Sequence, residues 1–272
     1  MADSNGSMAG RVVSIWRYPV KSMLGEELDA VEIGERGLIG DRAFALIDQE
    51  TGKVVSAKNP RRWPTLFAFR AAYSDDSQSA PSTQARITLP DSESVATDQA
   101  DIDQRLSAAV GRPVHLARSG VEGAIAEGYW PDHEWLPQRD EVFEFPLPPG
   151  TFFDDATVHL ITTATLDALR AAAPDSQFDI RRFRPNFLIE PDDSSKAFIE
   201  DTWIGRTLRI GDVQLRIDRP CPRCVMTTLS QGALPKDPAV LRTVVRENQG
   251  NAGVYATVVR GGLVRVDQAT SE

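Results

Sequence analysis

Thr207-Leu-Arg-Ile-Gly-Asp-Val-Gln-Leu-Arg-Ile217 is the stretch that decides the fold class. Polar and apolar residues alternate on either side of Gly211-Asp212, the period-two pattern of strands with one buried face. Gly-Asp between them signals a two-residue hairpin, although in the reverse of the favoured Asp-Gly order. Working upstream, Thr157-Val-His-Leu-Ile161 and 187–189 also read as strands. A helix over 164–173, with Leu166, Leu169 and Ala173 on one side, lies between them, and a helical turn is expected near 195–200. Downstream, the pattern predicts a helix over 238–247, capped by Asp237 with proline at its first position. Segments 254–259 and 263–266, joined at Gly261-Gly262, read as a closing hairpin. Many short strands and few helices mean a mainly β (α+β), barrel-like architecture.

The first half has the same pattern. Strands are expected at 11–20, 28–33, 43–48, 54–55, 66–73 and 86–89, and again at 114–116. One helix is expected over 98–110, with Asp98 as cap and Gly111 and Pro113 ending it. Residues 74–84 are rich in Ser, Asp and Pro and read as a mobile loop. The chain is therefore expected to divide into a β-rich unit at 11–118, a packing segment at 119–150 and a second unit at 151–267. Prolines at 131, 137, 146, 148 and 149 break any long element in the middle segment, while Trp130 and Trp135 suggest that it packs.

Composition narrows the function. The chain has 272 residues, 41% hydrophobic and 25% charged, in the soluble globular range. No apolar run approaches the roughly 20 residues needed to span a bilayer, so no membrane association is expected. The small, polar residues 1–10 lack the apolar stretch of a signal peptide; they read as a frayed terminus, and a cytoplasmic location is the expectation. A formal charge of −9 makes general nucleic-acid binding unexpected, although an acidic mean can hide a basic pocket. Two cysteines, Cys221 and Cys224, can make neither a disulfide framework nor a four-cysteine zinc site. The three histidines show no metal-ligand spacing.

Five clusters could carry chemistry. Arg219-Pro-Cys-Pro-Arg-Cys224 places a CxxC pair beside two arginines. It follows a strand, and Val225-Met-Thr-Thr-Leu229 after it reads as strand, so no helix dipole acidifies the thiols. Arg219 and Arg223 would favour the thiolate instead, which is also the form that binds a soft metal. Two structural thiols, or a dithiol redox pair, remain open from spacing alone. Thr162-Thr163, at a strand-to-helix junction, is either an anion site or an ordinary cap. Arg181-Arg-Phe-Arg-Pro-Asn186 is either a phosphate clamp with Arg184 held extended by Pro185, or a solvated run. Lys21-Ser22 and Gly40-Asp41-Arg42 border strands.

In this order the segments resemble a family. Tyr18-Pro-Val-Lys-Ser22 with Gly37-Leu-Ile-Gly-Asp-Arg42 is similar to the N-terminal β-barrel module that accompanies MOSC domains. Phe183-Arg-Pro-Asn186, Trp203-Ile-Gly205, Cys221-Pro-Arg-Cys224 and Asn251-Ala-Gly-Val-Tyr255 resemble the MOSC domain itself. The group includes the amidoxime-reducing components and their bacterial counterparts. The resemblance implies a β-barrel-like MOSC domain packed with an N-terminal β-rich module carrying a helix. It implies a molybdenum cofactor (molybdopterin) with Cys224 as metal ligand and Cys221 as bystander. By position, Lys21, Ser22, Arg42, Thr162, Thr163, Arg184 and Asn186 would line phosphate and pterin. The implied activity is reduction of small N-hydroxylated substrates. The sequence shows neither cysteines for an iron–sulfur domain nor an anchor segment, so a separate electron-donor protein is expected. A non-reducing cofactor carrier or sulfur-transfer module is the alternative.

Overall fold

The computed structural model describes residues 8–73, 84–119, 121–131 and 138–272. Its centre is a closed barrel of seven strands. These are β1 (Met8–Arg17), β2 (Val158–Thr162), β3 (Phe187–Pro191), β4 (Thr207–Ile210), β5 (Val213–Pro222), β6 (Asn251–Arg260) and β7 (Ala269–Ser271). Around the barrel the order is β3-β2-β6-β5-β4-β7-β1, and pairing of β1 with β3 closes it. β2 and β3 run parallel; the other neighbours are antiparallel.

The 207–217 hairpin forms as its alternation requires. Leu208 pairs with Leu215 and Ile210 with Val213, and all four are buried together with Ile217. They join Val12, Ile15, Leu160, Phe187, Ile189, Val254 and Ala256 in the barrel core. β5 continues past the sequence expectation into Pro220-Cys-Pro222. Its prolines cannot donate to the ladder, and the pairing with β6 shifts register there. That irregular end delivers the CxxC segment to one mouth of the barrel.

A second core belongs to the N-terminal half, where Val20, Phe44, Leu46, Phe69, Ile87, Val95, Leu106 and Val114 pack together. Its strands are Phe44–Asp48 with Val114–Arg118, and Arg70–Tyr73 with Ala85–Thr88 and Ser94–Ala96. α1 (Ile102–Val110) lies against Val114–Arg118 of the first pair, and its Ile102 and Leu106 join this core. Helices α2 (Thr163–Ala172), α3 (Ile180–Phe183) and α4 (Pro238–Asn248) cover the outside of the barrel. Asp237 caps α4 as expected, accepting from Ala239 N at 2.9 Å. Among the described residues no helix is long and apolar enough to cross a membrane.

Several local expectations are corrected. Val225–Thr228 is a 3-10 turn, not a strand, because the Thr227 and Thr228 hydroxyls donate back to the carbonyls of Cys224 and Val225. The strand expected at 66–73 begins with a 3-10 turn, Leu66–Ala68, since consecutive Leu66 and Phe67 are both buried, which a half-exposed strand forbids. α1 starts at Ile102; Asp98 instead pairs with Gln84. The turn expected near 195–200 lies at Ile199–Trp203. Gly262–Arg265 pairs with Ala30–Gly34, not with β6. The middle segment holds an unexpected hairpin, Ile125–Trp130 with Glu141–Pro146. Most of the expected mobile loop, and Trp135, lie outside the described residues.

Gly253, in the middle of the Asn251–Tyr255 motif, carries a testable constraint. Its φ is +81°, and a Cβ there would stand 2.4 Å from both His159 Nε2 and Leu160 O. Gly253→Ala is therefore expected to cost at least about 2 kcal/mol, from left-handed backbone strain plus overpacking. Thermal unfolding measures it, and an unchanged melting temperature would contradict this packing.

Candidate functional site

Where the N-terminal half meets the CxxC end of the barrel there is a cavity of about 350 Å³. It collects side chains from distant parts of the chain. Lys21 and Ser22 follow β1, and Arg42 follows the loop that Asp41 anchors. Arg184 sits at the left-handed residue that ends α3, and Asn186 opens β3. Arg223 and Cys224 follow β5. Six sequence candidates, Lys21, Ser22, Arg42, Arg184, Asn186 and Cys224, thus line one space.

Thr162 and Thr163 do not line it. The Thr162 hydroxyl is fully buried, caps Thr165 N and donates to Glu200 at 2.6 Å. Thr165 donates to the same carboxylate at 2.7 Å. Burial raises the Glu200 pKa, and these hydroxyls offset part of that. The junction is an internal cap around a buried acid, so the Thr162 hydroxyl is spent on Glu200, and Thr163 lies outside the cavity lining. Within the arginine run, only Arg184 is free to bind. Arg181 is paired with Asp179 at 2.6 Å. Arg182 is fully buried and donates to the backbone carbonyls of Gln177, Thr227, Leu229 and Pro235.

The floor of the cavity is basic in an otherwise acidic protein. Arg42 and Arg184 both lie over the Tyr18 ring, at 4.5 and 4.2 Å. Arg42 is paired with Asp41, whereas the Arg184 guanidinium has, among the described residues, one hydrogen bond, to Met23 O at 2.6 Å, and no carboxylate partner. Burial lowers the Arg184 pKa to about 10, so it stays charged near neutrality. Asn186 is the knot beneath them: its amide donates to Asp41 and Trp16 O, and its oxygen accepts from His159 N at 3.1 Å.

Three groups had no sequence signal. Lys58 and Lys21 converge on Asp154, with Lys58 at 3.1 Å. Burial pushes the Asp154 carboxyl up, but the two ammonium groups outweigh it and hold the acid well below its ordinary range. The buried His159, 5.8 Å edge-on from Tyr255, is held neutral by burial and by Arg223. Burial also lowers Lys21 to about 8, against the opposing pull of Asp154. Lys21 therefore loses its charge as pH rises through about 8. In the free protein, sulfate affinity at this floor is expected to drop between about pH 7 and pH 9. Lys21→Arg, charged throughout, should flatten that profile in calorimetric titrations; a flat wild-type profile would refute the assignment.

The two cysteines differ sharply. Cys221 is fully buried and accepts from Arg223 Nη1 at 2.7 Å, and burial pushes its thiol up. Burial outweighs the opposing pull of Arg223 there, and Arg219 is paired with Asp155 and lies over Tyr255. Cys224 is only half-buried and lines the cavity. Among the described residues nothing hydrogen-bonds its sulfur, while its backbone begins the 225–228 turn. No group of three or more His, Cys, Asp or Glu able to hold a metal occurs among the described residues. Cys224 is the accessible soft donor at this site.

Comparison with known proteins agrees with this layout. The MOSC N-terminal beta barrel domain model matches residues 9–125, and the MOSC domain model matches residues 148–271. The chain is 28% identical over 239 residues to mitochondrial amidoxime reducing component 2 of Bos taurus, covering 81% of this chain and 66% of that protein. The human protein of the same name is 27% identical over 246 residues, covering 81% of this chain and 67% of that one. A shorter segment, 83 residues, is 36% identical to molybdenum cofactor sulfurase 2 of Culex quinquefasciatus, covering 30% of this chain and 10% of that protein. This chain thus spans about two thirds of the length of its amidoxime-reducing relatives. The two matched models, the closed barrel and the cavity at its Cys224 mouth together place the chain in the MOSC-domain family, with an N-terminal MOSC β-barrel domain.

Proposed function

We propose that the chain holds a pterin-based molybdenum cofactor in this cavity, with the Cys224 thiolate on the metal, and reduces N-hydroxylated compounds there. The carrying observation is the coexistence, in one cavity, of a half-buried thiol and a guanidinium that have, among the described residues, no hydrogen-bond partner and no carboxylate partner respectively. The residues fit such a group. A thiolate suits a soft metal, and Arg184, Arg42, Lys21 and Lys58 suit a dianionic phosphate. Arg223 Nε is buried and has no hydrogen-bond partner among the described residues, a donor left over beside the proposed ligand.

When bound, the cofactor supplies two-electron oxygen-atom chemistry. The chain's own residues do the rest. Arg184 and Arg42, stacked on Tyr18, fix the position of the anion, with Ser22 and Asn186 beside them. Lys58, a Coulombic neighbour of Cys224, adds to the positive charge on this side of the cavity. Phe152 and Phe153 exclude water from the cavity wall. Electrons come from a separate donor protein.

Protein purified from a molybdopterin-competent host is expected to convert benzamidoxime to benzamidine and water with an artificial two-electron donor. Bound molybdenum without turnover would overturn the reductase reading in favour of a cofactor carrier or sulfur-transfer module, as the similarity to cofactor sulfurases would allow.

A further inference from the structure

The cavity has a charged floor and an aromatic rim, and the rim comes from one element: the hairpin Ile125–Trp130 and Glu141–Pro146. Gly128 faces Phe143 across this hairpin, and a Cβ at Gly128 would stand 2.4 Å from the Phe143 ring. Only glycine lets that ring lie flat over its cross-strand neighbour. In this position the ring stacks on Trp130, with centroids 4.9 Å apart and planes 27° from parallel. Both rings border the cavity that contains Cys224, and Trp130 keeps 37% of its surface exposed.

The rings beside this pair are already engaged by cations. Arg61 lies over Tyr129 at 4.6 Å and Lys58 over Phe145 at 4.6 Å. Among the described residues no cation lies over Trp130 or Phe143, and the Trp130 indole N–H has no protein acceptor. Among the described residues the pair is an aromatic surface with one face and one donor unspent. Exposed aromatic stacks of this kind favour flat π-systems over flexible aliphatic groups.

We propose that Trp130 and Phe143 form a stacking platform at the cavity mouth that selects planar aromatic N-hydroxylated substrates over aliphatic ones. This rests on the reductase reading above. The test uses the cofactor-loaded full chain and two probes, benzamidoxime and acetamidoxime, with turnover and calorimetric binding measured separately. The ratio of kcat/KM for benzamidoxime to that for acetamidoxime is expected to fall about tenfold in Trp130→Ala and in Phe143→Ala, through KM rather than kcat. Trp130→Phe should recover most of it, which general damage to the fold would not allow. Benzamidoxime binding that weakens in Trp130→Ala, in a protein that turns over neither probe, would support the platform and overturn the reductase reading. Turnover of both probes with an unchanged ratio in the variants would overturn the platform and leave the reductase reading standing. Failure of the wild type to bind benzamidoxime more tightly than acetamidoxime would also overturn the platform.

Discussion

Replacing Cys224 with alanine is expected to lower the reduction of N-hydroxylated substrates by more than about a hundredfold while leaving the chain folded. The magnitude follows from position: changes to groups that merely orient a metal ligand already cost about 10- to 100-fold, and Cys224 is the proposed ligand itself. The intact fold follows from its environment. Its sulfur makes no hydrogen bond among the described residues and only grazes the N-terminal core, and the backbone turn it opens is held by Thr227 and Thr228. Molybdenum content should fall with activity. Cys221→Ala behaves differently. Its sulfur is the acceptor for Arg223, so cofactor retention should weaken without vanishing. Equal molybdenum content in wild type and Cys224→Ala would remove the thiol from the metal.

Arg182→Met should have the largest effect on stability. The guanidinium is fully buried and holds four backbone carbonyls, at 2.7 to 3.2 Å, from α3 to the segment that carries Cys224. Burial alone makes that charge costly, as its depressed pKa reflects, so its net value as a charge is small. What matters is the acceptors. Methionine fills much of the volume but leaves the buried Thr227 carbonyl and three partly buried ones without their donor, at up to about 1–3 kcal/mol each. A loss of about 4 kcal/mol or more is a large share of the 5–15 kcal/mol typical of a folded domain. Chemical denaturation tests this. A loss under about 1 kcal/mol would show that the carbonyls find water instead.

What could be read from the sequence followed from the range over which each signal acts. The 207–217 hairpin depends on alternation and a two-residue turn, both local, and it forms in the register that alternation demands. Lys21, Arg42, Arg184 and Cys224 were visible because each sits beside a stiff proline or a strand end. Thr162 misled because its partner, Glu200, lies 38 residues away and nothing nearby announces a buried acid. Val225–Thr228 has the residues of a strand, yet threonine hydroxyls bonding back to their own turn outweigh that propensity. The rim hairpin was hidden by its prolines: Pro131 follows its first strand and Pro146 is the last residue of its second, so neither interrupts the pairing. Lys58 and Asp154 meet only in three dimensions.

The most direct test is the molybdenum and pterin content of the native protein, purified from a host that makes molybdopterin. Near-stoichiometric amounts of both, released together when Cys224 is replaced, are the expected result. A well-folded protein from that host with neither molybdenum nor pterin would contradict the assignment of this cavity as a molybdenum-cofactor site.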